Sequence, residues 1–167
     1  MIKGEVPQET GVVLKRFAVT PVLVAAVFVA VAPSGFAASS QTLPGLVSPS
    51  GNIKCLYVPG VGTPSRLLCS VAHARYAAKL QSRCMGPTGV GVDWHGFDLA
   101  STGRGNLVCT GGILYNPTTQ HPNYVLVPYG KPWRQGNFTC QSRSSGVTCR
   151  NRGGHGLFLS RSAWRVW

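Results

Sequence analysis

Six cysteines constrain this chain of 167 residues more than any other feature. They are Cys55, Cys69, Cys84, Cys109, Cys140 and Cys149. An even count in a small chain reads as a disulfide framework, and six cysteines allow fifteen pairings. No C-x-x-C occurs, and the spacings of 14, 15, 25, 31 and 9 match no zinc pattern, so no metal is expected. The flanking residues narrow the pairing. Around Cys140 and Cys149 the chain reads as two strands joined by a two-residue loop, Ser144-Ser145. Arg143 then closes against Gly146, and counting back sets Cys140 opposite Cys149. That is a non-hydrogen-bonded pair, the closer kind, which suits a cross-strand bridge; a four-residue loop would keep the cysteines opposite but in the wider kind of pair.

The start of the domain repeats the device. Gly51-Asn52-Ile53-Lys54-Cys55 matches Gly136-Asn137-Phe138-Thr139-Cys140 as Gly-Asn-apolar-x-Cys. Residues 51–58 alternate, with Ile53, Cys55 and Tyr57 on one face and Asn52, Lys54 and Leu56 on the other, as in a half-buried strand. Residues 59–65 are a turn by composition, and residues 66–73 return with Leu67, Cys69 and Val71 on one face. The expected bridges are Cys55–Cys69 and Cys140–Cys149, one in each hairpin, which leaves Cys84 to pair with Cys109.

Between the hairpins the pattern is weaker. Residues 74–85 are the one plausible helix, with Ala77, Leu80 and Cys84 at helical spacing. Residues 90–99 alternate, but the parity changes at His95-Gly96, which predicts a bulge or bend. Residues 106–110 read as a strand, 113–115 as another short one, 116–123 as an exposed loop and 124–127 as a β-prone run. Residues 128–132 turn the chain, 157–159 form a short strand, and 162–167 carry enough apolar area to dock as an edge strand. The expected fold is all-β, mostly antiparallel, built from short disulfide-clasped hairpins with at most one short helix.

The first 37 residues read as a signal peptide. Lys15 and Arg16 precede an uncharged apolar run, and small residues follow at Gly35, Ala37 and Ala38. The run is shorter than a spanning helix needs and contains a proline, so no stable membrane segment is expected after cleavage, and the location would be secreted or cell-envelope. Residues 38–50 read as a flexible leader and 51–167 as a single domain. Without residues 1–37 the chain keeps thirteen of its sixteen Lys and Arg and two of its four acids, a net charge of +11. That excess favours anionic partners, such as a cell-wall polymer or nucleic acid, or serves solubility alone.

The catalytic chemistries are poorly supplied. Only Asp93 and Asp98 remain for paired-carboxylate work, and on a straight strand they would face opposite sides. A metal-free nuclease would draw on His73, His95, His121 and His155, which no spacing places together. Gly-x-Ser-x-Gly, a P-loop and a dinucleotide fingerprint are all absent, so neither a serine nucleophile nor a cofactor is expected. Asn137-Phe138-Thr139 is a formal glycosylation acceptor, with Asn137 read as a strand residue.

Binding is better supplied. Lys131, Arg134, Arg143, Arg150, Arg152, Arg161 and Arg165 are interleaved with Trp133, Phe138, Phe158, Trp164 and Trp167. Arginine with aromatics suits single-stranded nucleic acid or a polyanionic glycan. The alternative is that the aromatics are core and the arginines a solvated face. The candidate ligand contacts are Arg143, Arg150, Arg152, His155 and Trp133, with no catalytic residue assigned. His155, between Gly154 and Gly156, is either a ligand-facing imidazole or a corner residue whose ring bonds to backbone. The expected role is an exported, non-catalytic binding module for an anionic polymer or a protein. The competing roles are a small secreted nuclease-like hydrolase and a purely structural envelope protein.

These residues resemble a family of small, secreted, cysteine-rich actinobacterial proteins known only as a domain of unknown function. The likeness rests on Ser48-Pro49-Ser50-Gly51-Asn52-Ile53-x-Cys55, Asp93-Trp94, Cys109, Pro128-Tyr129-Gly130, Gly146-Val147-Thr148-Cys149-Arg150 and Gly154-His155-Gly156. It departs from that family at residues 74–81, where a proline-rich run with a tryptophan is usual. The resemblance implies export and a β-rich fold, and it implies no activity.

Overall fold

The computed structural model describes residues 40–111, 115 and 118–167. The segment read as a signal peptide lies outside the described residues, as do 113 and 114 of the short strand read at 113–115 and 116 and 117 of the loop that follows. Twelve elements follow in order: β1 (Gln41–Val47), β2 (Ile53–Val58), β3 (Arg66–Val71), α1 (Ala77–Met85), β4 (Asp93–Ala100), β5 (Gly105–Thr110), β6 (Gln120–Leu126), β7 (Pro132–Gln135), β8 (Phe138–Arg143), β9 (Gly146–Asn151), β10 (Gly156–Leu159) and β11 (Trp164–Val166). They form two sheets. One has six strands in the order β5-β4-β3-β2-β1-β6, and the other is a five-stranded meander, β11-β10-β9-β8-β7. All pairs are antiparallel except β1 with β6.

The two hairpins form in the register that their cysteine spacing predicts. Arg143 pairs with Gly146 and Cys140 with Cys149. Cys55 pairs with Cys69. Both cysteine pairs have Cα atoms 4.0 Å apart, the close spacing of a non-hydrogen-bonded pair. Cys84 bonds Cys109 and ties α1 to β5. The shared Gly-Asn motif has a shared function in the backbone. Gly51 and Gly136 precede their cysteine strands at φ of 70° and 55°, where a Cβ would be strained. Asn137 therefore sits in the exposed turn between β7 and β8, not in a strand as the sequence suggested.

The bridges mark the centre of the molecule. Alternation turns Ile53, Cys55, Leu67, Cys69, Phe97 and Leu99 of one sheet toward Phe138, Cys140, Val147, Cys149, Leu157 and Leu159 of the other, in one buried core. The Sγ atoms of Cys55, Cys69 and Cys149 lie within 4.8 Å of one another. The cluster is two disulfides packed face to face; with its sulfurs bridged, it offers no thiolate to a metal. Tyr57 meets Phe138 edge-on at 6.1 Å across the same interface.

The flexible leader read at residues 38–50 needs correction over residues 41–47. Residues 41–47 are β1, an interior strand between β2 and β6, with Leu43 and Leu46 fully buried. The run Thr-Leu-Pro-Gly-Leu lacks a clean alternation because it is covered on both faces. Leu46 enters the main core, while Gly45 on the opposite face lies against the Tyr124 ring. The loop read at 116–123 also needs correction, since Gln120 to Asn123 already belong to β6 and pair with β1. Both errors share one cause. The β1–β6 pair joins segments nearly eighty residues apart, and no local pattern reports such a pairing.

The helix at residues 74–85 is confirmed as Ala77–Met85, with Leu80 buried in the core and no side-chain cap. Just before it, Tyr76 donates its hydroxyl to the Ser160 carbonyl at 3.0 Å and packs edge-on against Trp94 and Phe97. Burial pushes its pKa from 10 up to about 12. The unfolded phenol ionises near pH 10, the folded one only near 12. Folding therefore loses stability as pH rises through that window, because the unfolded state releases its proton first. The drop in melting temperature between pH 10 and 12 should be smaller in Tyr76→Phe than in the parent; an equal drop would place the alkaline loss elsewhere.

Candidate anion-binding surface

With the inner face of the meander sealed in the core, alternation sends the other half of its residues outward. The register arranges them in rows across the strands. Arg134 lies opposite Thr139, Thr139 opposite Arg150, and Arg150 opposite Gly156. In the next row Pro132, Gln141, Thr148, Phe158 and Arg165 are successive partners. Arg143 extends the same face at the hairpin tip. Residues 132–167 contain no acid, so this face carries four guanidinium groups and no carboxylate side chain.

The face is ordered by its aromatics. Trp167 folds over Gly156, where an added Cβ would lie 2.6 Å from the indole. Its Nε1 donates to the Gly154 carbonyl at 3.0 Å. Arg150 and Arg165 both stack on this ring, 5.6 and 4.9 Å from its centroid. Phe158 covers Gly146 in the same way, 2.9 Å from a notional Cβ. Arg143 donates from Nη2 to Gln141 Oε1 at 3.1 Å. Ring contact thus positions the guanidinium groups of Arg150 and Arg165, and a hydrogen bond that of Arg143.

The candidate contacts read from the sequence fare differently. Arg143 and Arg150 lie on this face and are exposed, and together line a shallow groove with Thr139, Gln141 and Thr148. Arg152 stands beyond the end of β9, where it borders a second groove with Arg150 and Asn137. Trp133 is not a contact. It pairs with Cys140 on the inner face and is buried in the core, so its rings offer nothing to a ligand. Trp167, half-buried on the outer face, takes the aromatic role instead. Cross-strand register places them on opposite faces of the sheet: Trp133 is the partner of inward Cys140, while Trp167 lies over Gly156, the partner of outward Arg150. His155 is a corner residue. Its N–H donates to Asn151 Oδ1 at 3.1 Å and its carbonyl accepts from the Asn151 N–H at 2.9 Å, so its backbone, rather than its ring, makes the corner.

The acids and the other histidines build something different. The register slips between Trp94 and Gly96, at the bulge expected from the parity change. That slip returns Asp93 and Asp98 to one face of β4. They pair with Thr110 and Asn106, four residues apart on β5, hence roughly 13 Å along the strand. Such a gap exceeds the ~5–9.5 Å of a glycosidase pair. Each is also engaged: Asp93 Oδ1 accepts from Gln81 Nε2 at 2.9 Å, and buried Asp98 pairs with Arg66. Asp93 and His95 line a pocket on the outer face of the six-stranded sheet with Lys54, Tyr115 and Tyr124. Burial, with the neighbouring Tyr115, raises the Tyr124 pKa. His73 lines a separate cleft.

A family model described as a family of unknown function, DUF6636, matches residues 23–167. The chain belongs to this family. No curated protein and no solved structure matches it. For this DUF6636 chain the argument about function therefore rests on its own surfaces. Among the described residues no helix is long and apolar enough to cross a membrane.

Proposed function

We propose that the protein is an exported, non-catalytic module that binds an anionic polymer through the outer face of its five-stranded sheet. One observation carries the proposal. Arg134, Arg143, Arg150 and Arg165 project from one side of one sheet, interspersed with Phe158, Trp167 and hydroxyl and amide side chains, with no acidic side chain among them. Guanidinium groups contact phosphate, sulfate or carboxylate oxygens in pairs, and the flanking rings stack on sugars or bases. The three bridged cysteines and the apolar segment before Ala37 support export into an oxidising space.

Arg134→Ala/Arg150→Ala should weaken binding to RNA, DNA and anionic cell-wall polymer alike, without degradation of any of them. For a single-stranded nucleic acid the slope of log affinity against log salt should fall by about 0.7 for each arginine removed from the phosphate backbone. Salt-independent binding that ignores both substitutions would overturn the proposal, and turnover of any of the polymers would replace it with the hydrolase reading.

A further inference from the structure

A second basic site lies where the two clasped hairpins meet. The turn between β1 and β2, carrying the Ser48-Pro49-Ser50-Gly51-Asn52 motif, faces the Ser144-Ser145 tip of the β8–β9 hairpin across a cleft of about 460 Å³. His73, Tyr129 and Arg161 complete its walls. Several separate connections of the fold thus converge on one polar cavity, of the size that holds a sugar or a nucleotide.

We infer that this cleft binds the phosphate and sugar of a phosphorylated sugar unit, the end of a phosphate-bearing polymer laid along the arginine face. The charge is one-sided. Arg143 and Arg161 reach the cleft from different parts of the chain, and no lining residue is acidic. The chain's two acids outside residues 1–37 are both committed on β4. Some of the hydroxyls are occupied. Ser48 Oγ accepts from the Ile53 N–H at 3.1 Å, and Ser160 Oγ accepts from the Ala163 N–H at 2.9 Å. Among the described residues the side chains of Ser144, Ser145 and Arg161 and the ring of His73 make no hydrogen bond, so their donors are available. Two guanidinium groups with serine hydroxyls give a tetrahedral oxyanion several donors at once. Tyr129, 49% exposed at the rim, offers a ring face to the sugar or base. Arg143 also lines the groove on the outer face of the sheet, so the cleft and the arginine rows are one continuous basic track.

The polymer context rests on the function proposed above; the cleft itself is tested apart from it. The oxidised full-length protein is titrated with a hexose 6-phosphate, a nucleoside 5′-monophosphate, the unphosphorylated hexose and inorganic phosphate, and amide shifts and affinities are recorded. A phosphorylated sugar should shift the amides of Ser50, Asn52, Ser144 and Ser145, while the bare hexose should not. Arg161→Ala should weaken that binding at least tenfold, with partial recovery in Arg161→Lys. Arg134→Ala/Arg150→Ala should leave it unchanged while weakening polymer binding. Preference for the hexose phosphate identifies a glycan source, preference for the nucleotide a nucleic-acid source, and equal binding means that the sugar phosphate alone is read. Shifts scattered away from the cleft, or affinity indifferent to Arg161→Ala, overturn the inference. Loss of polymer binding in the Arg134/Arg150 variant would still stand in that event, so the two proposals fail separately.

Discussion

Leu43→Ala/Leu46→Ala should unfold the protein or leave it only marginally folded. Each side chain is at most 1% exposed, and each truncation of a buried leucine costs ~2–5 kcal/mol through reduced transfer energy and the cavity left behind. Together that is on the order of 4–10 kcal/mol, against a total stability of ~5–15 kcal/mol for a domain of this kind. The position of β1 makes the loss cooperative. It is hydrogen-bonded on both sides, to β2 and to β6, so loosening it also detaches β6 from the sheet. Urea denaturation followed by tryptophan fluorescence measures the effect. If residues 41–47 were instead a dispensable leader, the double variant would unfold at the parent midpoint, and the interior placement of β1 would be wrong.

Removing a core disulfide should cost more than removing the peripheral one, although loop length argues the reverse. Closure of the chain between Cys140 and Cys149 restricts the unfolded state by about 2.7 kcal/mol, and closure between Cys84 and Cys109 by about 3.5 kcal/mol, on the chain-entropy relation. Packing reverses the order. Cys140 and Cys149 are at most 1% exposed and lie against the Cys55–Cys69 bridge, so Cys140→Ala/Cys149→Ala also empties two atom-sized spaces in the core. At ~1 kcal/mol for each such void, the total approaches ~5 kcal/mol. Cys84 is half-buried and Cys109 exposed, so Cys84→Ala/Cys109→Ala leaves little cavity. Thermal unfolding of the two double variants ranks them. A larger loss in the Cys84/Cys109 variant would mean that chain entropy, not core packing, dominates the framework.

The same contrast separates what was legible in the sequence from what was not. The register of the β8–β9 hairpin follows from a two-residue loop and a count of nine between cysteines, and the bulge in β4 from a parity change at His95-Gly96. These signals are local. A strand repeats every two residues, and a bridge requires its cysteines to face one another, so a few neighbouring residues carry all the information. The three pairings were therefore readable without any knowledge of how the hairpins pack.

The candidate site was half readable. Arginines interleaved with aromatics mark a basic segment, but Trp133 and Trp167 look alike in composition. One faces the disulfides and the other lies over Gly156 beside two arginines. Asp98, polar and in an alternating run, carried no sign that it would be buried with Arg66. Residues 41–47 and 120–126 hold no signal that they pair. In each case the answer depends on which face of a sheet the second sheet covers, and on contacts between segments distant in the chain. Local pattern was enough to set the hairpins, their registers and their covalent clasps. Packing of the two sheets settled the rest: which sheet each hairpin joins, which side of that sheet meets water, and therefore where the arginines collect. Alternation defines two faces along a strand, while burial, a property of the packed pair of sheets, chooses between them.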